Sequence, residues 1–202
     1  MKKPNSRPAA QFRRATPADA RQLAEFIDMA GEGLPRWFWR QAARLPEDEW
    51  TVGEARARRE TGGFSYRNAM LRIADGRPVA MLLAYRIEPQ EIDYATLPEP
   101  ARPLERLEQK AAGSFYVNGL AALPECRGKG YGTELLELAR HIAAERSCGL
   151  LSIQVFASND GARRLYERAG YVEVAREPMP RIPGLPEFGA SILMMRLADG
   201  GT

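Results

Sequence analysis

The sequence has 202 residues, 45% apolar and 27% charged, the balance of a soluble globular chain with one sizeable core. Its 29 basic and 26 acidic residues leave a net charge of +3, which speaks against nucleic acid or a membrane surface as the main partner. Two cysteines and a single histidine speak equally against a disulfide framework, a metal site and a histidine-based nucleophilic triad.

Residues 1–10 read as a disordered leader, because no apolar run follows the first lysines as a signal peptide would require. The longest apolar run, "VAMLLAY", has seven residues and falls far short of a membrane span, so a cytoplasmic chain is expected. Residues 12–16 form a short strand. Thr16 then caps a helix with Pro17 at its first position and Asp19 in its first turn. Leu23, Phe26, Ile27 and Ala30 give that helix one apolar face. The segment "GEGLPRWFWRQAARL" follows, and the charged residues 47–60 form a second helix. Next, "SYRNAMLRIADGRPVAMLLAYRIEP" predicts a hairpin about Asp75-Gly76. Its second strand is apolar nearly throughout, as a strand covered on both faces should be.

Residues 88–112 carry Pro89, Pro98, Pro100 and Pro103 and a short helical "LERLEQKAA", an insertion too small to hold its own core. A strand at 114–123, a glycine-rich turn, a helix to about Ser147, the strand "LLSIQVFAS", the helix "NDGARRLYERAG" and the strand "YVEVAR" come next. A proline-rich loop, 177–189, leads to the last strand, "SILMMRL". The order βααββ, insertion, βαβαββ describes a mixed α/β layer fold in one domain, residues 11–198.

The turn holds the most chemical information. Arg127-Gly128-Lys129-Gly130-Tyr131-Gly132 is neither a Walker loop, since Gly130 follows the lysine, nor a dinucleotide fingerprint, whose third glycine would fall at Thr133. Glycines permit positive φ and close approach to backbone N–H groups, and the helix that follows offers its own unpaired first-turn amides. Strand, turn and helix together suit an anion, flanked by Arg127 and Lys129. A tight strand-to-helix turn with solvated charges is the other reading of the same residues.

This turn resembles the R/Q-x-x-G-x-G/A signature of the GCN5-related N-acetyltransferase (GNAT) family. "NDGARRLYERAGYVEV" is similar to that family's N-x-x-A-x-x-x-Y-x-x-x-G-F/Y pattern, matching at Asn159, Ala162, Tyr166, Gly170 and Tyr171. The resemblance implies a mixed, mostly antiparallel sheet flanked by helices, and acetyl-CoA as acyl donor. It implies direct transfer to a primary amine in a ternary complex. The backbone amides from Arg127 through Gly128, Lys129, Gly130, Tyr131, Gly132 and Thr133 would then hold the pyrophosphate. Leu120, Ala122 and Leu123 would grip the pantetheine arm with their backbone, and Tyr166 would protonate the departing thiolate. Asn159 is either an N-cap or a hydrogen-bond donor to the pantetheine, and Tyr166 is alternatively a core tyrosine.

The strand "GSFYVNGLAAL" has no acid, so the base is a water, a carboxylate from elsewhere, or dispensable. Glu32, between two glycines in "GEGLP", is the candidate, against an exposed loop glutamate. Trp37, Phe38 and Trp39 would help wall the acceptor site, together with the 31–60, 88–112 and 177–189 segments. The acceptor itself is not legible, and a homodimer through strand edges is possible. A catalytically silent acyl-CoA sensor is the alternative from another functional class.

Overall fold

A computed structural model describes residues 11–198; the leader expected over residues 1–10 lies outside the described residues. The elements in chain order are β1 (Gln11–Arg14), α1 (Ala20–Ala30), α2 (Leu34–Ala42), α3 (Glu49–Arg58), β2 (Ala69–Ala74), β3 (Arg77–Arg86) and α4 (Ala101–Lys110). They continue with β4 (Phe115–Ala122), α5 (Tyr131–Glu145), β5 (Leu150–Phe156), α6 (Asp160–Arg168), β6 (Val172–Pro178) and β7 (Ala190–Leu197). The seven strands make one sheet in the order β1-β2-β3-β4-β5-β7-β6. Only β4 and β5 run parallel. No helix among the described residues is long and apolar enough to cross a membrane.

The hairpin forms at the expected place, with Asp75 at φ 50° and Gly76 at φ 74° supplying the two left-handed positions of a tight two-residue turn. Where one helix was expected between α1 and the insertion, there are two. Helix α2 begins after Gly33, at φ 88°, and carries Pro35 in its first turn. Glycine and proline look like breakers here, yet both occupy positions that a helix start accepts.

Alternation along β3 and β4 distributes side chains to two layers. Ala80, Leu82, Phe115 and Val117 join Leu135 and Ala139 of α5 and Tyr166 of α6 on one face. Leu71, Met81, Leu83 and Ala121 meet Leu23, Phe26 and Ile27 of α1 and Trp39 of α2 on the other. The insertion docks on this second face farther along the sheet, where Leu107 and Ala111 pack against Tyr116 and Leu193. Its outer edge is tied to β6 by Glu177, which accepts from Arg106 at 2.9 Å and Lys110 at 3.5 Å. Gln154 of β5 pins it again, donating to the Leu104 carbonyl at 3.1 Å.

Two local features carry measurable consequences. Arg13 grips both oxygens of Asp19 at 2.7 and 2.8 Å, and Thr16 donates its N–H and its hydroxyl to the same carboxylate. The Arg13 bond, first among the causes, brings the Asp19 carboxyl down to about 2. A depressed acid stabilises the fold above its unfolded value and loses that contribution as pH falls toward its folded one. Asp19→Ala is therefore expected to lose about 1 kcal/mol at pH 7, a figure discounted for solvent screening. The difference from wild type should shrink between pH 4 and pH 2, as read by urea unfolding at each pH.

The second feature is Tyr171, 2% exposed, whose hydroxyl is buried with no hydrogen-bond partner among the described residues. An orphaned buried polar group costs about 1–3 kcal/mol. Tyr171→Phe keeps the ring contact with Tyr166 and is expected to raise stability by up to about 1 kcal/mol, seen as an unchanged or higher melting temperature.

Candidate active site

Strand β4 is where the two halves of the sheet part. Its parallel pairing with β5 covers residues 115–117 only. On its other side Leu83 faces Gly119 while Ala84 faces Val117, so Asn118 is an extra residue opposite nothing, a β-bulge. Past the bulge, the Leu123 N–H donates to the Val79 carbonyl at 2.9 Å. Bonding in an antiparallel ladder alternates, so the N–H groups of Leu120 and Ala122 point away from β3 and into the gap left by β5. Leu123 was expected to share their role. The two-residue period turns its amide the opposite way, onto Val79, so the free amide expected at Leu123 is absent.

The gap opens into a cleft of about 1260 Å³. A pocket for one small ligand usually measures roughly 300–1,000 Å³, so this cleft exceeds the space that one small ligand needs. The glycine turn closes one end. Gly128 and Gly130 hold φ of 74° and 85°, and α5 starts at the next residue. Among the described residues, the N–H groups of Gly128, Gly130, Gly132 and Thr133 donate to no protein acceptor. No atom lies within 4 Å of where a Cβ on Gly128 would stand, so its backbone is open to a ligand. Gly132 serves another purpose: a Cβ there would meet Leu165 at 2.8 Å, so its bareness lets α5 approach α6. Arg127, Tyr131 and Thr133 line the cleft, whereas the Lys129 side chain stands outside its lining, and the Arg127 N–H, expected among the phosphate-binding amides, donates instead to the Pro124 carbonyl at 3.2 Å.

Beneath this turn, Arg72 of β2 is 6% exposed. Its guanidinium donates to Glu134 of α5 at 2.8 Å and lies 4.9 Å from the centre of the Tyr131 ring. The first turn of α5 is thereby tethered to the sheet through a mostly desolvated ion pair.

Tyr166, 6% exposed, lines the same cleft, and among the described residues its hydroxyl has no protein hydrogen-bond partner. Burial, then the neighbouring Tyr171, then the Glu32 charge push its ionisation well above the usual phenol value, so it stays protonated and able to donate. Asn159 caps α6, its Oδ1 accepting from the Ala162 N–H at 3.0 Å, and donates its Nδ2 to Glu32 at 2.7 Å. The cap reading of Asn159 is therefore present in the structure. Glu32, at φ 52° between α1 and α2, lines the cleft as expected, but one carboxylate oxygen is engaged on the cap.

The far end is built by α2, the loop before β2 and the insertion. Phe38 and Trp39 line it, while Trp37 packs edge-on against Phe38 outside the lining. The 177–189 loop contributes no lining residue; Ile182, Leu185 and Phe188 back the wall through Leu34 and Phe38. The insertion brings in Glu105 and Glu108, which sequence reasoning did not single out. Glu108 accepts from the Tyr85 hydroxyl at 3.2 Å, and that hydroxyl accepts from Asn118 Nδ2 at 3.2 Å. Burial first, and then the Glu105 charge, raise the Glu108 carboxyl to about 7. A signal was present: in "LERLEQKAA" Glu108 follows Leu107 and stands four residues after Leu104, at the margin of the apolar face.

The family model described as "Acetyltransferase (GNAT) family" matches residues 32–171. Two curated relatives are similar over shorter stretches. The uncharacterized N-acetyltransferase YhfO of Bacillus subtilis is 37% identical over 59 residues, 29% of this chain and 40% of its own length. The uncharacterized N-acetyltransferase MJ1530 of Methanocaldococcus jannaschii is 40% identical over 60 residues, 29% of this chain and 38% of its own length. This chain thus spans well under half of either relative. Among solved structures, an N-acetyltransferase from Staphylococcus aureus Mu50 aligns with a TM-score of 0.61 at 16% identity, covering 93% of this chain and all of the other, a likeness of fold.

Proposed function

The chain belongs to the GNAT acetyltransferase family, and on that premise we propose that residues 11–198 form one domain that moves an acetyl group from acetyl-CoA to a primary amine. The observation that carries this reading is the cleft itself. At one end it presents unpaired amides at Gly128, Gly130, Gly132 and Thr133, and in the middle a protonated Tyr166.

The donor's pyrophosphate fits the glycine turn, where the amides and the helix dipole favour negative charge and no side chain fills the space over Gly128. The pantetheine arm follows β4, held by the Leu120 and Ala122 amides in place of the missing β5 ladder. That places the thioester beside Tyr166, which holds a proton for the leaving sulfur. Glu32 and Asn159 fix the start of α6 and so the position of the tyrosine. Most of the rate would come from holding amine and thioester in contact, with Tyr166 managing one proton. The amine enters from the end lined by Phe38, Trp39, Glu105 and Glu108.

Acetyl-CoA at about 100 times its dissociation constant is expected to stabilise the native state by ~2.7 kcal/mol. Differential scanning fluorimetry reads this directly, and an unmoved melting temperature would remove the proposal. Where stabilisation is found, thiol release across an amine panel separates an enzyme from a silent acyl-CoA sensor of the same fold. The protonated Tyr166 beside the thioester favours the enzyme.

A further inference from the structure

Resting on the reading of the cleft as an amine acetyltransferase site, we propose that Glu108, carried in by α4, is the group that takes the proton from the acceptor's ammonium. An amine that arrives protonated cannot attack, and β4 offers no acid of its own. The insertion makes good that lack. Glu108 lines the same cleft as Tyr166 and is tied through Tyr85 to Asn118, the bulged residue at which β4 leaves β5. The carboxylate is therefore fixed relative to the point where the thioester would lie.

Its surroundings suit a proton acceptor. Tyr85 of β3, Tyr116 of β4 and Glu105 of α4 face it, and Glu32, Arg56, Arg127, Asp160 and Arg168 are the other charged residues that line the cleft. Among the described residues no cation is paired with Glu108 or Glu105; the neighbouring Arg106 and Lys110 both turn to Glu177. A desolvated carboxylate without a cation gains by receiving either an ammonium or its proton. The other acids of the lining are less suited: Glu32 is held by Asn159, Asp160 faces Arg163 at 3.7 Å, and Glu105 accepts from Gln109 of its own helix at 3.1 Å, whereas Glu108 is tied to the sheet.

The step balances simply. The Glu108 carboxylate takes one proton from R–NH₃⁺, leaving R–NH₂ and a carboxylic acid. The amine nitrogen bonds the acetyl carbon, the carbon–sulfur bond breaks, and the sulfur takes the Tyr166 proton. The Tyr166 phenolate takes a second proton, from the new nitrogen, leaving the neutral amide, and Glu108 releases its own to water.

The test compares wild type, Glu108→Gln and Tyr85→Phe using two acceptors. One is a simple alkylamine, protonated at pH 7; the other is an alkoxyamine, already neutral there. Glu108→Gln should lose roughly 10²-fold in kcat/KM with the alkylamine and keep the alkoxyamine rate within about threefold. Its acetyl-CoA affinity should be unchanged. Tyr85→Phe removes a hydrogen bond that lowers the Glu108 carboxyl, so its acid limb should move to higher pH. Equal losses with both acceptors, an unchanged alkylamine rate in Glu108→Gln, or an unmoved limb in Tyr85→Phe would overturn the assignment while leaving acetyl transfer standing. No thiol release from wild type with any amine would remove both.

Discussion

Valine at position 130 is expected to lower acetyl-CoA affinity by about 100-fold or more, roughly 2.7 kcal/mol, while the protein stays folded. Gly130 is the residue before α5 and holds φ at 85°, a region that β-branched side chains scarcely enter. Forcing valine there costs about 1–3 kcal/mol of strain, or else rotates the turn. Either outcome misdirects the amides of Gly128, Gly130 and Gly132, whose shared aim is the proposed source of affinity. The core does not depend on this turn. Leu135 and Ala139, which anchor α5, begin more than a turn farther on. Calorimetric titration with acetyl-CoA, beside a urea melt of the same variant, separates loss of binding from loss of fold. Retained affinity in a folded Gly130→Val protein would dismiss the turn as the phosphate site.

Tyr166→Phe is expected to cut kcat by about 10²-fold with little change in acetyl-CoA affinity. The tyrosine ring belongs to the α5–α6 core, so phenylalanine preserves its packing. Only the hydroxyl is lost, and among the described residues it makes no protein hydrogen bond whose removal would disturb the fold. The loss should therefore appear in turnover and leave the melting temperature close to wild type. It should also diminish with acyl donors whose thiols are more acidic, since a better leaving group needs less help from a proton. Thiol release followed with acetyl-CoA and with a more acidic thioester checks both statements. Full activity in the variant would return Tyr166 to a purely structural role.

Much of the architecture was legible because local signals agreed with one another. Asp75-Gly76 marked its hairpin, the unbroken apolar run of β3 announced a central strand, and the Asn159–Tyr166 spacing put cap and tyrosine on one short helix. The glycine turn was legible as a strand-to-helix turn, since Gly128 and Gly130 take the positive φ that glycine permits. Three things were not. Helix α2 was hidden by Gly33 and Pro35, which punctuate a chain or start a helix depending on phase. The direction of the Leu123 amide depended on a register that only the β3 pairing fixes. Glu108 was read as part of an insertion, because its importance comes from docking. Leu107, Gln154 and Glu177 decide where α4 lies, and sequence adjacency shows none of those contacts.

The bulge at Asn118 gives the sheet a property that its composition hides. One unpaired residue ends the partnership with β5, frees the amides of Leu120 and Ala122, and sends an amide side chain toward Tyr85. On the proposed reading, the donor's channel and the acceptor's chamber are thus geared to a single tooth. Any shift in strand phase that widens one must skew the other, so substrate range in this protein should change through the helices around the chamber far more readily than through the strand between.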